Sequence, residues 1–404
     1  MTIQSGVDLR EGNLALGLFG RVRLLMQDDP RSGVVRSRDW DEASDFAHIL
    51  RYLTYHRTFA SSAGPLRFQA GAGELLGFTL GHGTLVRDYS NISDPDHPHS
   101  GIVLGLAGEQ FAATAMVDNF VNPSVIAGRV EVQPLKSLGP LRLGSSFVID
   151  PQAPLQAARA AGARRELDDT YVLTSTRKVL ALMGADVEYT LGSDARGSVT
   201  PYMDLNVTLL GDVGYHAGAT GRLPLGDTGA TLRGQLEYRV GTSGYVPAHV
   251  ETFYDIERYQ AGLAFDRPLD ASVDERATRL AGMARGSFGG QGLLAQAGVE
   301  LPRRFTTKLG VSYRPGPDPV SLWWRASTRP IERLDLGLLL VLRGLAGDHA
   351  VADGLMTMVE GRFRITDNIY SLAQYARTWV VDGYTTYYGL VHSLNVSVGA
   401  NWST

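Results

Sequence analysis

Charged side chains in this chain recur at every second position. Arg233, Glu237 and Arg239 alternate with Leu232, Leu236, Tyr238 and Val240, and Glu360, Arg362 and Arg364 alternate with Val359, Phe363 and Ile365. The same two-residue period assigns Arg21, Arg23, Arg129, Glu131, Asp204, Arg222, Lys308, Arg314 and Arg325 to a polar face. Interleaved acids and bases can neutralise one another across neighbouring strands. They can also offer weak, repeated contacts to a hydrated substrate moving past them. The spacing is compatible with both.

A second group of chemistry-bearing residues lies in Gly73–Ser100, where the alternation breaks down. Glycines at 71, 73, 77, 81 and 83 imply backbone with unusual dihedrals or close approach. Two readings are open: a constriction or inward-folded segment that gates a lumen, with Gly81, His82, Gly83, Asp88 and Tyr89 as gate candidates, or a kinked strand followed by a long external loop. Asp94, Asp96, His97 and His99 are of metal-ligating type. Two prolines interrupt them and the spacing matches no recognised site, so no metal is expected and loop chemistry is the better account. Gly-His-Gly at 81–83 lacks the Lys-Ser/Thr of a phosphate loop. His48, His56, His82, His216 and His392 are scattered, and nothing in sequence pairs them with a nucleophile. No enzyme activity and no cofactor are expected.

The elements that must carry these residues are strands. In the closing stretch, Leu390, His392, Leu394, Val396, Val398, Ala400 and Trp402 alternate with small and polar residues, and successive strand side chains point to opposite faces. Met203, Leu205, Val207 and Leu209 alternate likewise with Tyr202, Asp204, Asn206 and Thr208. The pattern recurs from Asn13–Leu24 to the end, at a spacing of roughly 22 residues per strand and connection, and strands of about 9–11 residues are what a membrane barrel uses. The expectation is an all-β transmembrane antiparallel barrel of about 18 strands, with 16 as the other even number, forming a single domain over 1–404. Within it, Tyr259–Phe265 and Leu280–Phe288 read as a further pair of strands.

Bulk composition agrees. The chain has 404 residues, 47 of them glycine and none cysteine, which excludes a disulfide framework and thiolate metal sites. A net charge of -4 gives no support for a nucleic-acid partner. The longest apolar run, Leu336–Leu342, is far below the 18 or so residues of a membrane helix. Met1-Thr2-Ile3-Gln4 does not read as the start of a signal peptide. A propeller would show a 40–50-residue repeat with a signature, and none is visible. In a bilayer only helices and closed barrels satisfy the backbone. The aliphatic face must then meet lipid, because Arg or Lys there would cost about 2–4 kcal/mol each near the midplane. The charged face is expected to line the lumen, in a bacterial outer membrane.

Asp39-Trp40-Asp41-Glu42-Ala43-Ser44-Asp45, Leu80-Gly81-His82-Gly83-Thr84-Leu85-Val86 and Asp94-Pro95-Asp96-His97-Pro98 resemble a group of myxobacterial outer-membrane barrels of the polysaccharide-export type. The last strand is also similar to the assembly signal of bacterial outer-membrane barrels, although Ser403-Thr404 follow Trp402. The resemblance implies a conduit for a polysaccharide or other polar substrate, working with a periplasmic export protein and in contact with membrane lipids. It implies no catalytic residues. A diffusion pore for small solutes or lipids, or a barrel-borne enzyme, are the alternatives.

Overall fold

The computed structural model describes the chain apart from residues 1, 24–46, 48, 63, 94–98, 136–138, 156–176, 194, 259–277, 303, 317–318, 344, 346–353, 367–368, 382–387 and 404. A sheet of 20 strands dominates it. In chain order its staves begin with β1 (Thr2–Glu11), β2 (Leu14–Arg23), β3 (Leu50–Phe59), β4 (Leu66–Gly73), β5 (Gly101–Ala107), β6 (Phe111–Val117) and β7 (Ile126–Val132). They continue with β8 (Leu141–Pro154), β9 (Arg177–Tyr189), β10 (Gly197–Thr208), β11 (Val213–Leu225), β12 (Ala230–Gly241) and β13 (Gly290–Leu301). The last are β14 (Phe305–Tyr313), β15 (Val320–Ile331), β16 (Leu334–Leu342), β17 (Leu355–Arg364), β18 (Ile369–Val381) and β19 (Tyr388–Ser403). A short strand, Leu191–Ser193, prolongs β9 on the same neighbour β10, so among the described residues the 20 strands make nineteen staves.

Each stave pairs antiparallel with the next, and β1 pairs in parallel with β19 from Thr2↔Asn395 to Arg10↔Ser403. That pairing closes the ring. An odd number of staves joined in succession leaves the first and last running the same way, so the parallel seam follows from the count. The expected fold class holds. The stave outside the expected number is β1, which precedes the first alternating stretch read from the sequence.

Closure removes the sheet edges, the condition lipid imposes on a sheet. Along β10 the outward Met203, Leu205 and Val207 are 64%, 41% and 41% exposed, while the inward Tyr202, Asp204 and Asn206 are 3%, 6% and 1% exposed. An apolar belt outside and polar groups inside is the build of an outer-membrane barrel, and the chain is one. Among the described residues no helix is long and apolar enough to cross a membrane.

The connections divide by rim. One rim carries short turns such as 12–13, 226–229 and 332–333, and the other carries long connections including 74–100 and 242–289. The described parts of both fold back into the barrel. Val86–Arg87 of the first pairs in parallel with Val250–Glu251 of the second. The second also holds helices α1 (Tyr254–Glu257) and α2 (Arg279–Arg285).

Helix α2 replaces the strand expected over 280–288. Thr278 caps it by accepting the Ala281 N–H, Gly286 at φ 75° ends it, and Leu280 and Met283, one turn apart, are buried. A capped amphipathic turn outweighs the local alternation. Its expected partner at 259–265 lies outside the described residues, as do 39–45 and 94–98.

Candidate functional site: a plugged lumen

The two inward connections form a plug with its own core. Leu75, Leu80, Leu85, Val86 and Tyr89 join Val246, Val250, Tyr254, Leu280, Met283 and Phe288. The same cluster includes wall residues of β6–β9, among them Met116, Ala127, Val148, Leu180 and Leu182. The wall is therefore apolar on its inner face at one arc of the ring, and the plug is packed onto that arc.

The opposite side of the plug is ionic. Glu251 meets Arg87 at 3.1 Å, Arg343 at 3.0 Å, and Arg314. Glu257 contacts Arg279 and Arg343, with Arg314 at 3.8 Å. Arg314 follows β14 and Arg343 follows β16, so these pairs tie the plug to the wall. Burial would raise the Glu251 carboxyl, but Arg314, Arg343 and Arg87 outweigh it and hold it well below the usual carboxylate range. Deeper in, Lys308 of β14 reaches Asp88 at 2.8 Å. Asp88 has φ 48°, and its N–H donates to Thr79 Oγ1.

His82 is where the first connection touches the far wall. Its Nε2 lies 2.8 Å from Glu188 and its Nδ1 3.1 Å from Asp204. Its ring stacks on Tyr202 with centroids 3.8 Å apart and planes 3° apart. Its carbonyl accepts from Gln235 at 2.9 Å. Burial would lower the imidazole pKa, but the hydrogen bonds to Asp204 and Glu188, with the charges of Asp204 and Asp186, push it up to about 9. At neutral pH it is a charged latch. Gly81, at φ 57°, brings the backbone so near Arg129 that a Cβ would sit 2.8 Å from the guanidinium. Gly73, at φ 113°, turns the chain out of β4; a Cβ there would run into the Arg51 carbonyl.

The gate candidates Gly81, His82, Gly83, Asp88 and Tyr89 all sit in the first plug segment, with Tyr89 fully buried. Of the charged-face residues, Arg129 is buried against Asp186 and Glu131, and Glu131 also meets Arg142. Asp204 holds His82, Lys308 holds Asp88 and Arg314 holds Glu251. Glu237 and Arg239 pair within the wall, both 1% exposed. Arg325 lines a crevice beside Asp88 and Trp323. Arg222 and Arg233 line a cavity of about 380 Å³ that the plug leaves open, with Thr200, Gln296, Glu300 and Lys308. There Arg233 pairs with Glu300 at 2.9 Å. Glu360 accepts from Gln374, Arg362 lies 3.7 Å over the Tyr370 ring and Arg364 reaches Asp335 at 3.6 Å. Arg21 and Arg23 are placed on β2 opposite Gln4 and Thr2.

Sequence reasoning missed the second half of the plug. The aromatic and acidic content of residues 242–258, unusual for a loop, was the one signal present. It also missed a buried network in which His216 bridges Glu237 (3.0 Å) and the Tyr245 hydroxyl (2.7 Å), while Tyr202 donates to Glu237 at 2.6 Å.

No family model matches the sequence, and no curated protein does. Among solved structures the chain is similar to a KdgM porin in complex with disordered oligogalacturonate, at 11% identity over 55% of this chain and 86% of that one, with a TM-score of 0.25. It is similar to OpdL of Pseudomonas aeruginosa at 13% identity, over 81% and 85%, with a TM-score of 0.35. Wzi, an outer membrane protein involved in group 1 capsule assembly in Escherichia coli and a carbohydrate-binding β-barrel, matches at 14% over 83% and 73%, with a TM-score of 0.39. At these identities and TM-scores the likeness carries no argument, and the barrel rests on the chain's own strand pairing.

Proposed function

We propose that the barrel is a gated outer-membrane conduit for a polysaccharide or a similar polar chain, supplied from the periplasm by an export partner. The observation that carries this reading is the plug. A lumen lined with Arg, Glu, Gln and Thr is closed by two segments from one rim, packed against the wall on one arc and ion-paired to it on the other. Long connections of such barrels face outside, so the plug enters from the external side and the open cavity faces the periplasmic short turns. An outer membrane offers no nucleotide energy, so a moving polymer needs a driver below it. Its substrate would meet Arg222, Arg233, Gln296 and Glu300 first. The resemblance in residues 39–45, 80–86 and 94–98 points the same way. The ring nitrogens of His216 are taken by Glu237 and Tyr245, so we read that pair as structural and assign no enzymatic role.

The size of the open cavity, about 380 Å³, favours a second reading, a pore for small polar solutes. Bilayer recordings separate the two. The intact barrel is expected to be silent and a variant lacking residues 84–100 to conduct. Oligosaccharide chains added to the open variant are expected to block its current in steps. Current that ignores chains while small sugars permeate would favour the solute pore. A folded, inserted deletion variant that stays silent would remove both readings.

A further inference from the structure

Three plug and rim segments converge on a second buried cluster, away from His82. His99 ends the first inward connection, Asp118 opens the 118–125 connection after β6, and Asp255 lies in α1 of the second. One ligand atom from each lies within 4.8 Å of the others. Oxygens and nitrogens bound at about 2.0–2.4 Å to one ion stand no more than ~4.8 Å apart.

The groups are set up as ligands. His99 is 9% exposed, and its Nδ1 has no hydrogen-bond partner. Burial lowers its proton affinity; the Asp118 charge works against that and Arg258 reinforces it. Asp118 is fully buried, and its Oδ1 accepts the N–H groups of Ser124 at 3.0 Å and Val125 at 2.8 Å, which fix its orientation. The Tyr89 hydroxyl lies 3.1 Å from both Asp255 oxygens and 3.5 Å from Asp118 Oδ2. The Ser124 hydroxyl also donates to Asp118 Oδ2, and the two carboxylates stand side by side next to the His99 imidazole. A cation there would bridge the two carboxylates and take the imidazole as a third ligand.

We propose that His99, Asp118 and Asp255 form a divalent-cation site, of the Zn²⁺ or Mn²⁺ type, that pins both halves of the plug to the rim. One imidazole with two carboxylates suits these ions better than Mg²⁺. The site lies on the side where the plug is packed onto β6–β9, and it makes closure metal-dependent.

The test uses the full-length barrel in detergent, stripped with EDTA and checked for folding by heat-modifiability. Titration calorimetry with ZnCl₂ is expected to show one saturable ion per chain, and His99→Gln and Asp255→Asn to weaken it about 10-fold or more. Pulsed EPR of added Mn²⁺ is expected to show a directly coordinated imidazole nitrogen in the wild type, which decides the matter if a variant fails to fold. No saturable binding, Mn²⁺ without nitrogen coupling, or binding lost in Asp204→Asn and kept in His99→Gln would overturn the proposal.

Discussion

The plug meets the barrel on two arcs built from different physics. Against β6–β9 it buries Leu85, Val86, Val250 and Met283 on Met116, Val148, Leu180 and Leu182. Against β14–β16 it relies on Glu251, Glu257 and Asp88 held by Arg314, Arg343 and Lys308. Apolar packing has no partner to exchange and resists partial opening. Buried ion pairs can be replaced by water and salt once a gap forms, because their net stabilisation after desolvation is small. On the proposed gating, the apolar arc would serve as the hinge and the ionic arc would be the side that opens.

The strongest way to break this division is at Glu251. Glu251→Ala leaves Arg87, Arg314 and Arg343 without their shared acid, a change of about 3–5 kcal/mol for a buried pair. The plug should lift on that side, seen as new protease cleavage within 242–258 while the heat-modifiable barrel persists. On the hinge side, Leu85→Ala should cost about 2–5 kcal/mol of plug stability, since Leu85 is 1% exposed. Its cleavage should appear in 74–100 first. Equal loosening of both segments by either variant would mean the arcs are not distinct.

The His82 latch should respond to pH. Its pKa rises from 6.5 unfolded to about 9 in place, so the stabilisation is fully present below pH 6.5 and is lost as pH passes through 9. The shift corresponds to roughly 3 kcal/mol. Hydrogen exchange at residues 80–84 should therefore quicken, beyond its intrinsic pH dependence, between pH 7 and 10, and His82→Gln should abolish that excess. The smallest effect is expected at Arg233–Glu300, whose side chains are 60% and 40% exposed. Arg233→Ala should change stability by about 0–1 kcal/mol and alter only the charge selectivity of an opened lumen.

The barrel was legible because a half-buried strand repeats every two residues, and Met203, Leu205 and Val207 state that period openly. Segment 80–89 stood out because its glycines break the period. What closes the lumen was not legible. His82 finds Asp204 and Glu188 122 and 106 residues away, and Arg87 finds Glu251 164 residues away. Such pairs leave no local spacing. Charged residues that read alike along their strands also divide in space: Arg239 is 1% exposed beneath the plug, while the Arg233 side chain is 60% exposed in the open cavity. Neighbouring positions on one strand face met different contents of the lumen.

The central claim, a polar lumen closed by a plug that opens on its ionic side, is tested most directly by single-channel conductance of Glu251→Ala beside the wild type and the 84–100 deletion. The account predicts a silent wild type, steady current through the deletion variant, and Glu251→Ala flickering between those two levels. A wild type conducting at the level of the deletion variant, or Glu251→Ala staying closed while folded and inserted, would contradict it.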